Sequence, residues 1–182
     1  LPVPEVYAVS ADGMCYLQED LGDTSLFDLI AEAHKRGGYD EADMELLRQV
    51  MRLLPDVQWR TAEQFDFTHC YPSAELNRRG IQWDLHYFKY CFLKTSGLEF
   101  NEVLLQDDFE KFADDLLVED TDTFLYRDFN SRNVMIKDGE PYFIDFQGGR
   151  RGPIYYDVAS FVYHSRADYP KELRQRMLEC YL

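Results

Sequence analysis

Two short apolar runs, Val134-Met135-Ile136 and Tyr142-Phe143-Ile144, flank Asp138-Gly139, and an oxygen-bearing side chain stands outside each: Asn133 before the first, Asp145 after the second. Apolar runs on either side of an Asp-Gly dipeptide predict a β-hairpin. The midpoint of 133 and 145 is the turn glycine itself, so the spacing predicts that Asn133 and Asp145 face each other across the strand ends. Residues opposed in this way lie roughly 5 Å apart. Two oxygen ligands at that separation can share a magnesium ion, which takes oxygens at about 2.1 Å. Asp128 lies five residues before Asn133, on the loop leading into the hairpin. A carboxylate there can accept the proton of an attacking hydroxyl while the metal holds a phosphoryl group in line. Each residue alone is commonplace; their conjunction around a short hairpin is specific.

Composition narrows what such a site serves. With 182 residues the chain can build one domain with a sizeable core. Its formal charge of −15 argues against a nucleic-acid partner, because phosphate backbones need a basic face. It does not argue against a nucleotide held through a divalent cation. No apolar run approaches the roughly 18–20 residues that span a bilayer, and no basic-then-apolar leader opens the sequence. The expectation is a cytoplasmic protein with no membrane partner. Cys15, Cys70, Cys91 and Cys180 form no C-x-x-C pair and are expected to be four buried free thiols. His34, His69, His86 and His164 lack metal-ligand spacing, which argues against zinc.

Along the chain, residues 5–9 and 14–18 flank Asp12-Gly13 and predict a first hairpin, followed by a polar hinge over 19–23. Ser25 and Asp28 have capping-box spacing, so a helix is expected with Leu26, Leu29, Ile30 and Ala33 inward and Gly37 at its end. Met44, Leu47, Met51 and Leu54 mark a second helix that Pro55 should stop. Residues 56–80 read as irregular. Ile81, Leu85, Phe88 and Phe92 define a third helix ending near Gly97; Val103, Leu104, Phe109, Phe112 and Leu116 define a fourth. Strands and helices are thus segregated, an α+β pattern. Residues 99–122 hold ten acidic residues against one basic residue, Lys111. That reads as a solvated helix face, with a rim that attracts a cationic substrate as the alternative. Leu1 opens the chain close to a strand, and an apolar stripe still runs through Leu173, Met177 and Tyr181 where it stops, so a piece of a longer protein with further domains is expected.

The run Tyr126-Arg127-Asp128 with Asn133 five residues on, followed by Ile144-Asp145-Phe146, resembles the catalytic-loop and metal-loop pattern of kinases. The continuation Gly152-Pro153-Ile154-Tyr155-Tyr156-Asp157 is similar to the aminoglycoside phosphotransferase and choline kinase superfamily. Within it, Arg127 to Met135 and Ile144 to Gln147 most resemble bacterial kinases of the anomeric hydroxyl of N-acetylmuramate and N-acetylglucosamine, as does the hinge run Tyr16 to Asp23. The resemblance is specific from about 124 to 161 and loose in the helices between.

It implies a protein-kinase-like carboxy-terminal lobe, with residues 1–23 the last hairpin and hinge of a largely missing amino-terminal lobe and 24–182 the helical catalytic lobe. It implies ATP and magnesium as cofactors and a small-molecule acceptor. Asp128 would be the catalytic base, and Asn133 and Asp145 the metal ligands. Met135 and Ile144 would contact the adenine, whose edge would be bonded by backbone near Gln18, Glu19 and Leu21. Asp157 would cap its helix and support the catalytic loop. Gln147, Arg150 and Arg151 would meet the acceptor, the arginines through a carboxylate such as a lactyl group. Two departures stand out. Tyr126 occupies a position where the family usually has His. No V-A-I-K-type Lys or G-x-G-x-x-G is present, so this portion alone should bind ATP poorly while the intact protein is a kinase.

Overall fold

The computed structural model describes residues 1–118 and 121–182. Glu119 and Asp120, two of the acidic residues of the 99–122 segment, lie outside the described residues. Strands β1 (Val6–Val9) and β2 (Tyr16–Gln18) form an antiparallel hairpin with one register irregularity. Helix α1 (Leu26–Arg36) starts at the Ser25/Asp28 capping box and ends at Gly37, whose φ of 86° is a left-handed conformation that a side chain would disfavour. Its inner stripe is Leu26, Ile30 and Ala33.

Helix α2 (Glu41–Gln64) corrects the expected stop at Pro55: the proline sits inside it, and residues 56–64 are helical. Proline gives up one backbone hydrogen bond and crowds the preceding turn, at about 3 kcal/mol. Burial on both sides of it offsets that cost. Leu47, Val50, Met51 and Leu54 before Pro55 and Val57 and Gln58 after it form one continuous buried face. Gln58 is fully buried and fully engaged. Its Nε2 donates to the Ile154 carbonyl at 2.8 Å, and its Oε1 accepts from the Tyr181 hydroxyl at 2.7 Å. The helix is therefore held by tertiary packing rather than by propensity.

Helix α3 (Arg78–Phe88) runs into a π-helical turn, Lys89–Leu93, and is followed by α4 (Glu102–Leu116). The apolar stripes read for these two helices are mostly not buried. Ile81, Phe109 and Ala113 are inside, whereas Phe88, Phe92, Val103, Leu104 and Phe112 are exposed. Several acidic groups of the segment are paired: Glu102 with Lys89 and Lys94, Glu110 and Asp114 with Arg78, and Asp122 with Arg151.

Strand β3 (Thr123–Leu125) pairs antiparallel with β6 (Arg150–Gly152), and β4 (Val134–Lys137) with β5 (Glu140–Phe143). Helices α5 (Tyr155–Val162) and α6 (Lys171–Tyr181) follow. The main core joins α1, α2, α5 and α6 beneath the residue 126–134 loop. There Tyr126, Phe129, Phe143, Phe161 and Tyr169 interlock, with ring centroids 5.1–5.8 Å apart along the chain Tyr126–Phe129, Phe129–Phe143, Phe129–Phe161 and Phe161–Tyr169. None of the four cysteines is buried as expected: Cys15 and Cys91 are exposed, Cys70 and Cys180 half-buried, and all are free thiols. No helix among the described residues is long and apolar enough to cross a membrane.

Candidate active site

The core suspends the loop after β3 from below. The backbone N–H groups of Tyr126 and Arg127 donate to the two carboxylate oxygens of Asp157, each at 2.8 Å. Arg127 can present its amide this way because it adopts φ 75°. Asp157 is wholly buried in the first turn of α5. It does not cap that helix: the residue before α5 is Ile154, and no side chain caps it. Burial pushes the Asp157 carboxyl up to about 7, against the pull of the two amides and of Gln58. The Tyr126 hydroxyl, also buried, donates to the Ile144 carbonyl, tying the loop after β3 to the residue before Asp145. Burial, and then the charge of Asp145, raise that phenol well above its usual range.

Asp128 follows on the exposed side of the loop. Its Oδ1 accepts from Asn130 Nδ2 at 2.9 Å. Its carbonyl accepts from Asn133 Nδ2, also at 2.9 Å. That bond fixes the Asn133 amide with its Oδ1 turned away from Asp128. The register of the hairpin differs by one residue from the expected one. Asp138 and Gly139 both take left-handed φ values, 53° and 84°, in a two-residue turn, so Lys137 opposes Glu140 and Asn133 opposes Ile144. The Ile144 N–H donates to the Asn133 carbonyl at 3.0 Å. Asp145 is one step beyond, and its own φ of 69° bends the chain at the strand end. Asn133 and Asp145 nevertheless line one cleft, of about 420 Å³, with Pro4, Val6, Tyr16, Gln18, Ile144, Phe146 and Gln147.

Of the residues assigned to a nucleotide, Gln18 and Ile144 line this cleft. Glu19 does not offer its amide: it donates to the Glu5 carbonyl at 2.7 Å, and its side chain takes Lys137 Nζ at 2.7 Å. That ion pair and the bond from Lys137 Nζ to the Asp20 carbonyl bind residues 19 and 20 to the β4–β5 hairpin. Leu21 is buried, and Met135 bridges to Ser25 through the backbone.

The arginines assigned to an acceptor are engaged elsewhere. Arg150 is 4% exposed, and its guanidinium donates to the carbonyls of Gly148 and Tyr71 at 3.1 and 2.9 Å. Burial, then the nearby Arg127, lower its pKa. Arg151 pairs with Asp122 and stacks over Phe67 at 4.2 Å. Both belong to β6, and these contacts are with the protein itself. Gly149 lets that strand approach: a Cβ there would lie 2.3 Å from Phe124 Cζ and 2.9 Å from the Phe146 carbonyl oxygen. Gly149→Ala is expected to destabilise the protein by about 2 kcal/mol through this overlap, read as a lower midpoint in denaturant. An unchanged midpoint would mean the strand can move aside.

Three residues not singled out from sequence join the site. Asn130 bonds Asp128; Asp84 on α3 takes Arg127 Nη2 at 3.0 Å; Lys137 holds Glu19 and the Asp20 carbonyl. Asn130 had a readable signal, an Asn ahead of a turn that it caps; the other two pairings span 43 and 118 residues and leave no local trace.

Asn133 and Asp145 fit a hard cation. Both are oxygen donors, Asn133 Oδ1 is left free by the orientation of its amide, and both face one cleft. Among the described residues no group of three His, Cys, Asp or Glu is placed to hold a metal, so further ligands would come from phosphate and water.

Residues 1–182 match the model of the APH phosphotransferase enzyme family. No curated protein matches the chain in sequence. Among solved structures it is similar to an ADP-bound aminoglycoside phosphotransferase APH(2'')-Ib, at 17% identity and a TM-score of 0.64 over 98% of this chain and 59% of that one. A streptomycin–ATP complex of APH(2'')-IIa is similar at 15% identity and a TM-score of 0.60, over 98% and 60% of the two chains. A choline kinase from Cryptosporidium parvum matches at 13% identity and a TM-score of 0.58, over 100% and 57%. The fold is thus kinase-like, and the chain spans about three fifths of the length of these structures.

Proposed function

Because the chain belongs to the APH phosphotransferase enzyme family, we propose that the intact protein moves the γ-phosphoryl group of ATP to a hydroxyl of a small molecule, and that this acceptor is an amino sugar such as N-acetylmuramate or N-acetylglucosamine. The observation that carries the phosphotransferase reading is the placement of Asp128 on a loop anchored by a buried carboxylate, beside a cleft lined by Asn133 and Asp145. Asp128 would take the proton of the attacking hydroxyl. Asn133 Oδ1 and the Asp145 carboxylate would hold magnesium, which when bound neutralises phosphate charge. Gln147, at the same cleft, is the chain's own candidate for contact with the acceptor.

The sugar assignment rests on the run from Arg127 to Met135 and on Ile144 to Gln147. A cationic acceptor is the second reading, favoured by the likeness to a choline kinase and by the acidic 99–122 segment. Against it, Glu102, Glu110, Asp114 and Asp122 already have basic partners, and none of the described residues of that segment lines the cleft. The test supplies the full-length protein with ATP, magnesium and one acceptor at a time, and follows ADP. Amino sugars are expected to be consumed, and chelation of the metal to stop ADP release. Consumption of choline or an aminoglycoside alone would overturn the sugar assignment. No turnover, with no magnesium-dependent protection by ATP against thermal unfolding, would point instead to a binding module.

A further inference from the structure

Asn130, two residues after Asp128, is 9% exposed, and its amide is engaged at both ends. Its extended backbone (φ −150°, ψ 166°) opens the short 3-10 turn Ser131–Asn133, and its Oδ1 accepts the Arg132 N–H at 3.0 Å. With the oxygen held there, the NH₂ end can only turn back along the chain. It donates to the Asp128 carboxylate Oδ1 at 2.9 Å and to the Asp128 carbonyl at 3.1 Å.

We propose that Asn130 is a positioning residue for phosphoryl transfer: its amide occupies one oxygen of the Asp128 carboxylate and so leaves the other, Oδ2, aimed at the acceptor hydroxyl. The inference rests on the reading of Asp128 as the base. An exposed aspartate is otherwise free to rotate, and its two oxygens are equivalent. A donor locked on one of them removes both freedoms, and holding a base in its reactive geometry is a large part of its effect. In the step itself, the acceptor O–H bond breaks and its proton passes to Oδ2. The acceptor oxygen bonds the γ-phosphorus, and the bond from that phosphorus to the bridging oxygen breaks, with the electron pair leaving on ADP.

Capping alone does not require this residue. Asp and Ser cap about as well through an oxygen. Asn130→Asp therefore separates the two roles, because it keeps the cap and the volume but replaces the donor with a second carboxylate. In the full-length protein, Asn130→Asp is expected to lower kcat by about 10–100-fold, a fraction of what a positioned base contributes. KM for ATP should stay within about two-fold of the parent, as for loss of an interaction made in the transition state. Asn130→His brings a ring N–H and should keep more of kcat than Asn130→Asp. A parent-like kcat in Asn130→Asp, or the reverse order of the two variants, overturns the proposal. Asp128→Asn tells this failure from failure of the underlying reading. If that variant is inactive while Asn130→Asp is parent-like, the positioning role alone falls. If Asp128→Asn is fully active, the base assignment falls and takes the positioning role with it.

Discussion

Asp128→Asn in the full-length protein is expected to lower kcat by about 10²–10⁴-fold, the usual contribution of a positioned general base. KM for ATP and the thermal midpoint should stay close to the parent. The asymmetry follows from where Asp128 sits. It is on the exposed side of its loop, and the side chain accepts one hydrogen bond, from Asn130, which an amide oxygen can also accept. The loop itself hangs from the backbone amides of Tyr126 and Arg127, which the substitution leaves untouched. If Asp128 is the base, its charge is thus expected to matter for chemistry and not for folding. Initial rates of ADP release at saturating ATP and acceptor decide the matter. A variant that keeps more than about a tenth of the parental kcat would remove Asp128 from the role of base, since general base catalysis is worth at least ten times that.

What the sequence shows of this site depends on how far apart the cooperating residues are. The capping box at Ser25 and the left-handed Gly37 are local, and α1 begins and ends at them. The hairpin at Asp138-Gly139 is local too, but its register is a matter of one residue. A turn of two left-handed residues centres between 138 and 139, so Asn133 meets Ile144, and Asp145 reaches the cleft through a positive φ that no side-chain pattern announces. Arg150 and Arg151 look like a free basic turn because their partners are remote. The Tyr71 carbonyl is 79 residues from Arg150, and Asp122 is 29 from Arg151. Pro55 misleads for the opposite reason. A strong local rule is overruled by the buried face that α2 presents to β3 and α6, which exists only after the chain has folded. The exposed stripes of α3 and α4 show the remaining gap, since periodicity gives a face but not what stands opposite it.

Asp157 gives the second large effect, this time on stability. Asp157→Ala removes the acceptor of two backbone N–H groups, Tyr126 buried and Arg127 partly so, and of the Gln58 amide, at 2.8, 2.8 and 3.5 Å. Leaving buried donors unpaired costs about 1–3 kcal/mol each, so a loss of about 3 kcal/mol or more is expected, together with a loosened loop at residues 126–134. The size of the loss should depend on pH with a definite sign. Burial raises the Asp157 carboxyl to about 7, whereas in the unfolded chain it titrates near an ordinary value of about 4. Between those limits the folded state binds the proton more tightly. The parent's stability is then fully present below pH about 4 and declines as pH rises to about 7. Alanine cannot titrate, so this part of the slope disappears, and the gap between parent and variant, widest below pH about 4, is wider at pH 5 than at pH 8. Denaturant midpoints of both full-length proteins at the two pH values measure it. A gap that widens toward pH 8 would mean that the amides of Tyr126 and Arg127 outweigh burial and hold the carboxylate below its ordinary range. The loop that carries Asp128 would then hang from a permanent negative charge rather than from a group that is half protonated near neutrality.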